Sequence, residues 1–397
     1  MKSWIFGAVF ILGIFFLFVI IVSPVPRDSI KIVGKQNKVD ERDTIFSRFD
    51  LVKGSKKFED YYKRNPYYRK IDDEIRTYSD ILSDHHKKRE PILFSIADAE
   101  FAFLGTQLNN VDGKVSQTKK VLSPSENTRI VKNFLKYLGS DDCGICELNQ
   151  AYVYSHVGRG PEPYGSEIHL KHKYAIVFIK EMDYEMIKYA PQSPVIVETS
   201  KRYVDVGTMS IRVAFVLRLL GYSARAHIAE SNYQGILSPF AWEAGLGEIG
   251  RSGILINWKY GSRIRLGLVT TDLPLETDKK RSKGMLNFCE KCKKCVLNCP
   301  SRAIPEGEKK EDRGALKWSI NREECYKFWR KIGTDCSLCI HVCPYSKPNN
   351  LFHNIIRFLT AYSSFFQTIS VWGDSFFYGK YLKRIKYKSG ELMLKKH

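Results

Sequence analysis

Eight of the ten cysteines fall between Cys289 and Cys343. The first four, Cys289-x2-Cys292-x2-Cys295-x3-Cys299-Pro300, follow the run with which bacterial ferredoxins hold iron–sulfur cubanes. The second four, Cys325-x10-Cys336-x2-Cys339-x3-Cys343-Pro344, repeat it with the first ligand set further back. Three thiolates on one short loop can hold three corners of a cubane. The cysteine before proline sits where the next helix begins and reaches the neighbouring cluster. Crossed ligation then assigns Cys289, Cys292, Cys295 and Cys343 to one [4Fe–4S] cluster, and Cys325, Cys336, Cys339 and Cys299 to a second. Structural zinc would need four-cysteine sets without the proline-terminated triplets. Two clusters carry electrons and transform nothing, so the acceptor must lie upstream.

Other motifs there are weaker. Gly245-Leu246-Gly247-Glu248-Ile249-Gly250 satisfies the dinucleotide fingerprint literally, but it follows Pro239-Phe240-Ala241-Trp242 and runs into the strand-like Gly253-Ile254-Leu255-Ile256. The fingerprint needs a strand before it and a helix after it. What these glycines do permit is close backbone approach to a flat, bulky ligand, with Gly245, Gly247, Gly250, Arg251, Ser252 and Gly253 as the candidate contacts. Cys143-Gly144-Ile145-Cys146 lacks a thioredoxin-like setting, and two buried thiols are its simplest explanation. His156, His169 and His227 stand singly. No Asp-x-His-x-x-Gly motif offers a histidine lower ligand to a corrinoid.

The elements that must position this chemistry come from 397 residues with 44% hydrophobic and 13% aromatic content, enough for a packed core and for two or three domains. Disorder, collagen and coiled coil are excluded. The formal charge of +20 fits nucleic acid, an anionic surface or anionic cofactors and chooses none. Trp4 to Val22 is 19 residues without a charge, followed by Arg27, Lys31, Lys35, Lys38, Arg42 and Arg48. The expectation is a single-pass membrane anchor over 4–22, uncleaved, with the body on the cytoplasmic side and membrane lipid as a partner. Residues 23–90 read as a polar, tyrosine-rich wrapping segment. Ser123-Pro124-Ser125 predicts a helix that stops at Gly139. Ala175 to Ile179 predicts a buried strand, and Met209 to Leu220 a helix ending at Gly221. Ala224 to Ile228, Ile254 to Asn257 and Ile264 to Thr270 predict further strands. This alternation suggests an α/β or α+β core over 91–280, a two-cluster module over 281–350, and an aromatic and basic C-terminal extension over 351–397.

Several segments resemble the reductive dehalogenase family, whose nearest relatives are the epoxyqueuosine reductases. They are Arg42-Asp43-Thr44-Ile45-Phe46-Ser47-Arg48, Leu219-Leu220-Gly221-Tyr222-Ser223-Ala224, the stretch from Ala244 to Arg251, Gly261-Ser262-Arg263-Ile264-Arg265-Leu266-Gly267 with Thr271-Asp272-Leu273-Pro274-Leu275, and Trp372-Gly373-Asp374 with Phe377-Tyr378-Gly379. The resemblance implies an α+β fold: a nitroreductase-like core binding a base-off corrinoid (cobalamin), joined to a ferredoxin-like module with two [4Fe–4S] clusters. It also implies a proton-donating tyrosine helped by an asparagine and a basic residue. By position these match Tyr203, Asn232 and Arg263 or Arg265, with Tyr189 and Tyr222 as neighbouring tyrosines. The implied partners are a redox electron donor and a small organic, halogenated substrate. Nucleic acid is expected only under the alternative reading as an epoxyqueuosine-type enzyme acting on tRNA. A corrinoid-free electron carrier in the membrane is the other alternative.

Overall fold

The computed structural model describes residue 13 and residues 22–86, 90–230 and 233–387. The anchor expected over 4–22 lies almost wholly outside them. Among the described residues no helix is long and apolar enough to cross a membrane. The longest, Pro194–Leu219, carries Glu198, Lys201, Arg202, Asp205, Arg212 and Arg218 and belongs to the core. The expected single-pass localisation, with its cytoplasmic-side placement, is therefore corrected, and no helix among the described residues supports the lipid partner.

Nine strands are present among the described residues: β1 (Lys31–Ile32), β2 (Asp142–Glu147), β3 (Tyr174–Glu181), β4 (Ala224–His227), β5 (Glu248–Ile249), β6 (Leu255–Ile256), β7 (Ile264–Thr271), β8 (Lys310–Asp312) and β9 (Ala315–Lys317). The central sheet has the order β2-β3-β7-β4 and is antiparallel throughout. Its middle strand reads as a continuous apolar run because both faces are covered. Ile176 and Phe178 join Ile145 and Val269 beneath the helix Pro194–Leu219. Ala175, Val177 and Ile179 point the other way, to Phe240 and Trp242 of the helix Leu237–Glu243. The period of two along the strand thus divides the core into two layers.

Pro194 opens the long helix at a position where its missing N–H costs nothing. Gly207 in its middle is explained by the partner helix Pro91–Gly105: a Cβ there would come within 2.6 Å of Leu104. The helix ends before Gly221, whose φ of +89° suits glycine. Pro124–Tyr137 begins with a capping box between Ser123 and Glu126.

The wrapping segment is more structured than its polarity suggests. It holds the helices Ile45–Phe49, Lys56–Arg64 and Pro66–Ile75, and β1 pairs with β9. Phe58, Tyr61 and Tyr62 are buried together. Asp72 ties them inward, accepting from Tyr62 Oη at 2.8 Å and pairing with the buried Arg48. Arg48 also reaches Glu323 on the helix Arg322–Ile332, at 3.0 Å. The C-terminal extension forms two helices, Leu351–Tyr362 and Ser364–Tyr378. Arg357 and Gln367 bury polar ends against Tyr345 O and Gly284 O, while Trp372, Phe376 and Phe377 stay exposed.

Candidate functional site

Both cysteine segments use one backbone device. Cys292 is followed by Lys293 at φ 47°, and Cys336 by Ser337 at φ 46°, each the start of a new helical turn. The left-handed residue bends the chain back, so that the N–H two residues on points at the preceding sulfur. Lys294 N–H does so at Cys292, and Leu338 N–H at Cys336. Cys289, Cys292, Cys295 and Cys343 lie within electrostatic reach of one another. Cys299, Cys325, Cys336 and Cys339 form a second such group. Cys339 feels both Cys295 and Cys343, so the two groups adjoin.

Burial pushes the thiols of Cys289, Cys292, Cys295, Cys325, Cys336, Cys339 and Cys343 up, to about 12 at Cys289 and Cys336 and about 11 at Cys325. A bare thiolate is costly here, whereas iron would displace the proton and supply the missing positive charge. The donor sets therefore fit two iron–sulfur clusters. Among the described residues no three Cys, His, Asp or Glu side chains converge closely enough to hold a single metal ion.

The glycine-rich segment supports the first group. β5 pairs with β6, and a Cβ on Gly247 would fall 2.3 Å from Ile256 O. On Gly245 it would fall 2.4 Å from Lys279 O, and on Gly250 it would meet Ile256 and, at 3.3 Å, Cys289 Sγ. The close approach at these three glycines is thus to the chain itself. Gly253, at φ +72°, stands near Ile320, and Ser252 is buried. Arg251 N–H points at Cys289 Sγ. Its buried guanidinium donates to the carbonyls of Cys289, Pro305, Glu306 and Gly307 at 2.8–3.2 Å and lies over the Trp318 ring.

A second constellation gathers around Arg265 on β7. Its guanidinium stands 5.2 Å over the ring of Tyr203, donates to Thr199 Oγ1 at 2.9 Å and approaches Asp335 at 3.6 Å. Its Nε is buried without a partner. Asp335, itself buried, accepts from Thr199 at 2.8 Å and from Ser337 at 3.0 Å, and burial raises its carboxyl. Tyr233 lies close enough for both Tyr203 and Arg265 to act on it, and burial holds its phenol well above the usual range. Of the residues expected to act together, Tyr203 and Arg265 are adjacent. Asn232 lies outside the described residues. Arg263 is used elsewhere: fully buried, it pairs with Glu181 at 2.6 Å and donates to Ser346 O at 3.0 Å and to Met182 O. Tyr222 donates to Lys120 O, and Tyr189 packs on Tyr387.

Thr199, Tyr233 and Asp335 were not singled out from sequence. Asp335, beside Cys336, and Tyr233, beside Asn232, carried only a positional signal. Cys143 and Cys146 lie three residues apart on the extended β2, pointing to opposite core layers. Three strand residues span about 10 Å, too far for a disulfide. His227 is buried between Thr270 Oγ1 at 3.0 Å and the Gln234 N–H, a structural role.

A 4Fe-4S dicluster domain model matches residues 288–347. The tetrachloroethene reductive dehalogenase of Desulfitobacterium hafniense is 33% identical over 291 residues, covering 62% of this chain and 52% of that protein. That of Sulfurospirillum multivorans is 30% identical over 285 residues, covering 63% and 56%. An epoxyqueuosine reductase of Lactococcus garvieae is 32% identical over 119 residues, 28% of this chain and 33% of that one. The chain spans about half the length of the reductive dehalogenases it matches. In fold it is similar to a catabolic reductive dehalogenase, at a TM-score of 0.72 and 22% identity, covering 92% of this chain and 50% of that one.

Proposed function

We propose that this chain, a homologue of the reductive dehalogenases with a mixed α/β core and a C-terminal 4Fe-4S dicluster domain, is an oxidoreductase that cleaves a carbon–halogen bond reductively. The overall change is two electrons and one proton in, a C–H bond formed, a C–X bond broken and halide released. The single observation that carries the reading is the placement of Tyr203 and Arg265 beside Asp335, the residue before Cys336. The proton site and the electron path therefore share one wall.

The two thiol groups, Cys289/Cys292/Cys295/Cys343 and Cys299/Cys325/Cys336/Cys339, would each hold one [4Fe–4S] cluster. A base-off corrinoid, when bound, would supply the reduced cobalt centre at which the substrate's C–X bond is cleaved. The unpartnered buried Nε of Arg265 fits a site that expects one more polar group. Gly245, Gly247, Gly250, Arg251, Ser252 and Gly253 hold the floor between core and cysteines, so their part is to support the site from behind.

Tyr203 would give its phenolic proton to the carbon that loses the halide. A positive guanidinium over the ring would offset the negative charge that builds on the phenolic oxygen as the proton leaves. Thr199 and Asp335 hold that guanidinium in place, and Asn232 would orient the phenol. The partners are a small halogenated organic substrate and an electron donor.

Anaerobic reconstitution with iron, sulfide and hydroxocobalamin, read by absorbance and EPR, tests this. A base-off Co(II) signal beside two clusters is expected, with halide released from an organohalide panel. Tyr203→Phe should keep both cofactors and lose turnover. Clusters without corrinoid would leave an electron carrier and overturn the assignment.

A further inference from the structure

Next to the first cysteine group the surface opens into a recess of about 210 Å³. Its working residues are Trp258, Lys259, Lys283, Tyr345, Arg357 and Tyr362, and its lining includes no carboxylate. Among the described residues none of these three cations is in an ion pair: Lys283 lies over the Trp258 ring at 4.8 Å, Lys259 over Tyr260 at 5.0 Å, and Arg357 is spent on backbone carbonyls and Asn354. Asp141, Asp142 and Glu181 act on the two lysines only at longer range. Lys259, Phe358 and Tyr362 are exposed at its rim. The floor leads straight to sulfur. Tyr345 meets Phe288 edge-on at 5.0 Å, Phe288 precedes Cys289, and Tyr345 N–H points at Cys343 Sγ.

The second group adjoins Asp335, and through it Arg265 and Tyr203. The first group has an aromatic floor opening on solvent, and the second has the proton site. We propose that this recess is the electron-entry port, where an electron-donating protein with an acidic face docks on Lys259, Lys283 and the rim aromatics. One electron leaves the donor's flavin or cluster and one enters the cluster of Cys289, Cys292, Cys295 and Cys343; no bond is made and no proton moves. The current then runs from the first cluster to the second, and on to the site of Tyr203.

A basic, carboxylate-free port selects acidic partners by steering, which raises association rates and is lost in salt. Exposed aromatics supply the contact that remains after encounter.

The inference rests on the two-cluster reading, and its test separates the two. The probe is a reduced bacterial flavodoxin, acidic and carrying FMN, mixed anaerobically with the reconstituted full chain while cluster absorbance is followed. Wild type should be reduced at a rate that falls steeply with salt. Lys259→Glu/Lys283→Glu should slow it by about tenfold at low ionic strength. Photoreduction by uncharged deazaflavin should be unchanged, as should the rate for a distant charge reversal, Lys119→Glu/Lys120→Glu. Absence of cluster absorbance in the wild type would sink the cluster reading itself. Intact clusters with equal flavodoxin rates in wild type and port variant, or a wild type that flavodoxin does not reduce, would overturn the port alone.

Discussion

Lys293 turns left-handed after Cys292, and Ser337 does the same after Cys336, each delivering a backbone N–H to the sulfur behind it. Around this shared device the surroundings part company. The first segment is held by Arg251 from the glycine-rich loop and faced by the buried Phe288 and Tyr345, the latter at the floor of the recess. The second is faced by Asp335, whose carboxylate reaches Thr199 and Arg265. A local code can build two equivalent cluster seats. On the proposed reading, which of them admits electrons and which delivers them is decided by the elements packed against each.

The largest expected effects come from unseating one cluster at a time. Cys292→Ala should remove about half the iron and sulfide and leave the second cluster's EPR signal. Cys336→Ala should remove the other half. If the seats differ as argued, the two variants diverge under flavodoxin: Cys336→Ala still accepts an electron rapidly, and Cys292→Ala accepts it slowly. Loss of both signals in either variant would show that the groups do not assemble independently.

Next come the two arginines flanking Ile264. Arg263 is fully buried against two carbonyls and the partly exposed Glu181, so Arg263→Gln should cost about 1–3 kcal/mol of stability, the range for leaving buried acceptors without their donor. Thermal or urea unfolding reads this directly. Arg265→Gln takes the cation from the buried Asp335 but leaves it the Thr199 and Ser337 hydroxyls, so it should retain its clusters at a comparable cost in stability, while turnover falls by about 10²–10⁴. The reverse pattern would exchange their roles.

That exchange was open in the sequence, where both arginines matched the same basic helper. Spacing fixes ligand chemistry when the ligands are local, and the cysteine runs carry their function in their own register. Nothing local separates Arg263 from Arg265. Their difference arises from Glu181, Met182 and Ser346 on one side and Thr199 and Asp335 on the other, each tens of residues away or more. The same holds for the glycines from 245 to 253, whose spacing signalled close approach but not what approaches. The strands β3, β4, β6 and β7 were legible from apolar runs, and the helix ends at Gly139 and Gly221 from turn and capping chemistry; β2, which carries Cys143 and Cys146, was not. The helices within 23–90 were not, because their burial depends on Asp72 meeting Arg48 and on Tyr326 and Trp329 covering Phe49 and Ile71. Asp335 and Tyr233 sit one residue from Cys336 and Asn232, so adjacency was the only clue on offer.

The smallest effect tests how the first segment is supported from below. Glu248 on β5, three residues before Arg251, is fully buried; it accepts from Ser29 at 3.1 Å and has one oxygen without a partner. Burial raises its carboxyl from 4.5 to about 7. With the folded value above the unfolded one, stability is intact below pH 4.5 and declines as pH rises towards 7, by about 3 kcal/mol for a shift of this size. Glu41, raised equally, adds a decline of the same sign beneath the cysteine-free wrapping segment. Glu248→Gln should therefore remove its own share of the loss in urea stability between pH 5 and 7, leaving the slope to the other groups that titrate there, Glu41 and Glu230 lowering stability as pH rises and the buried His227 and His341 raising it. It should also leave Cys336-side properties untouched, since no contact links Glu248 to Asp335 among the described residues. An unchanged pH slope in Glu248→Gln would mean that water or a counter-charge reaches the carboxylate, and that the floor under Arg251 is not the dry one its burial describes.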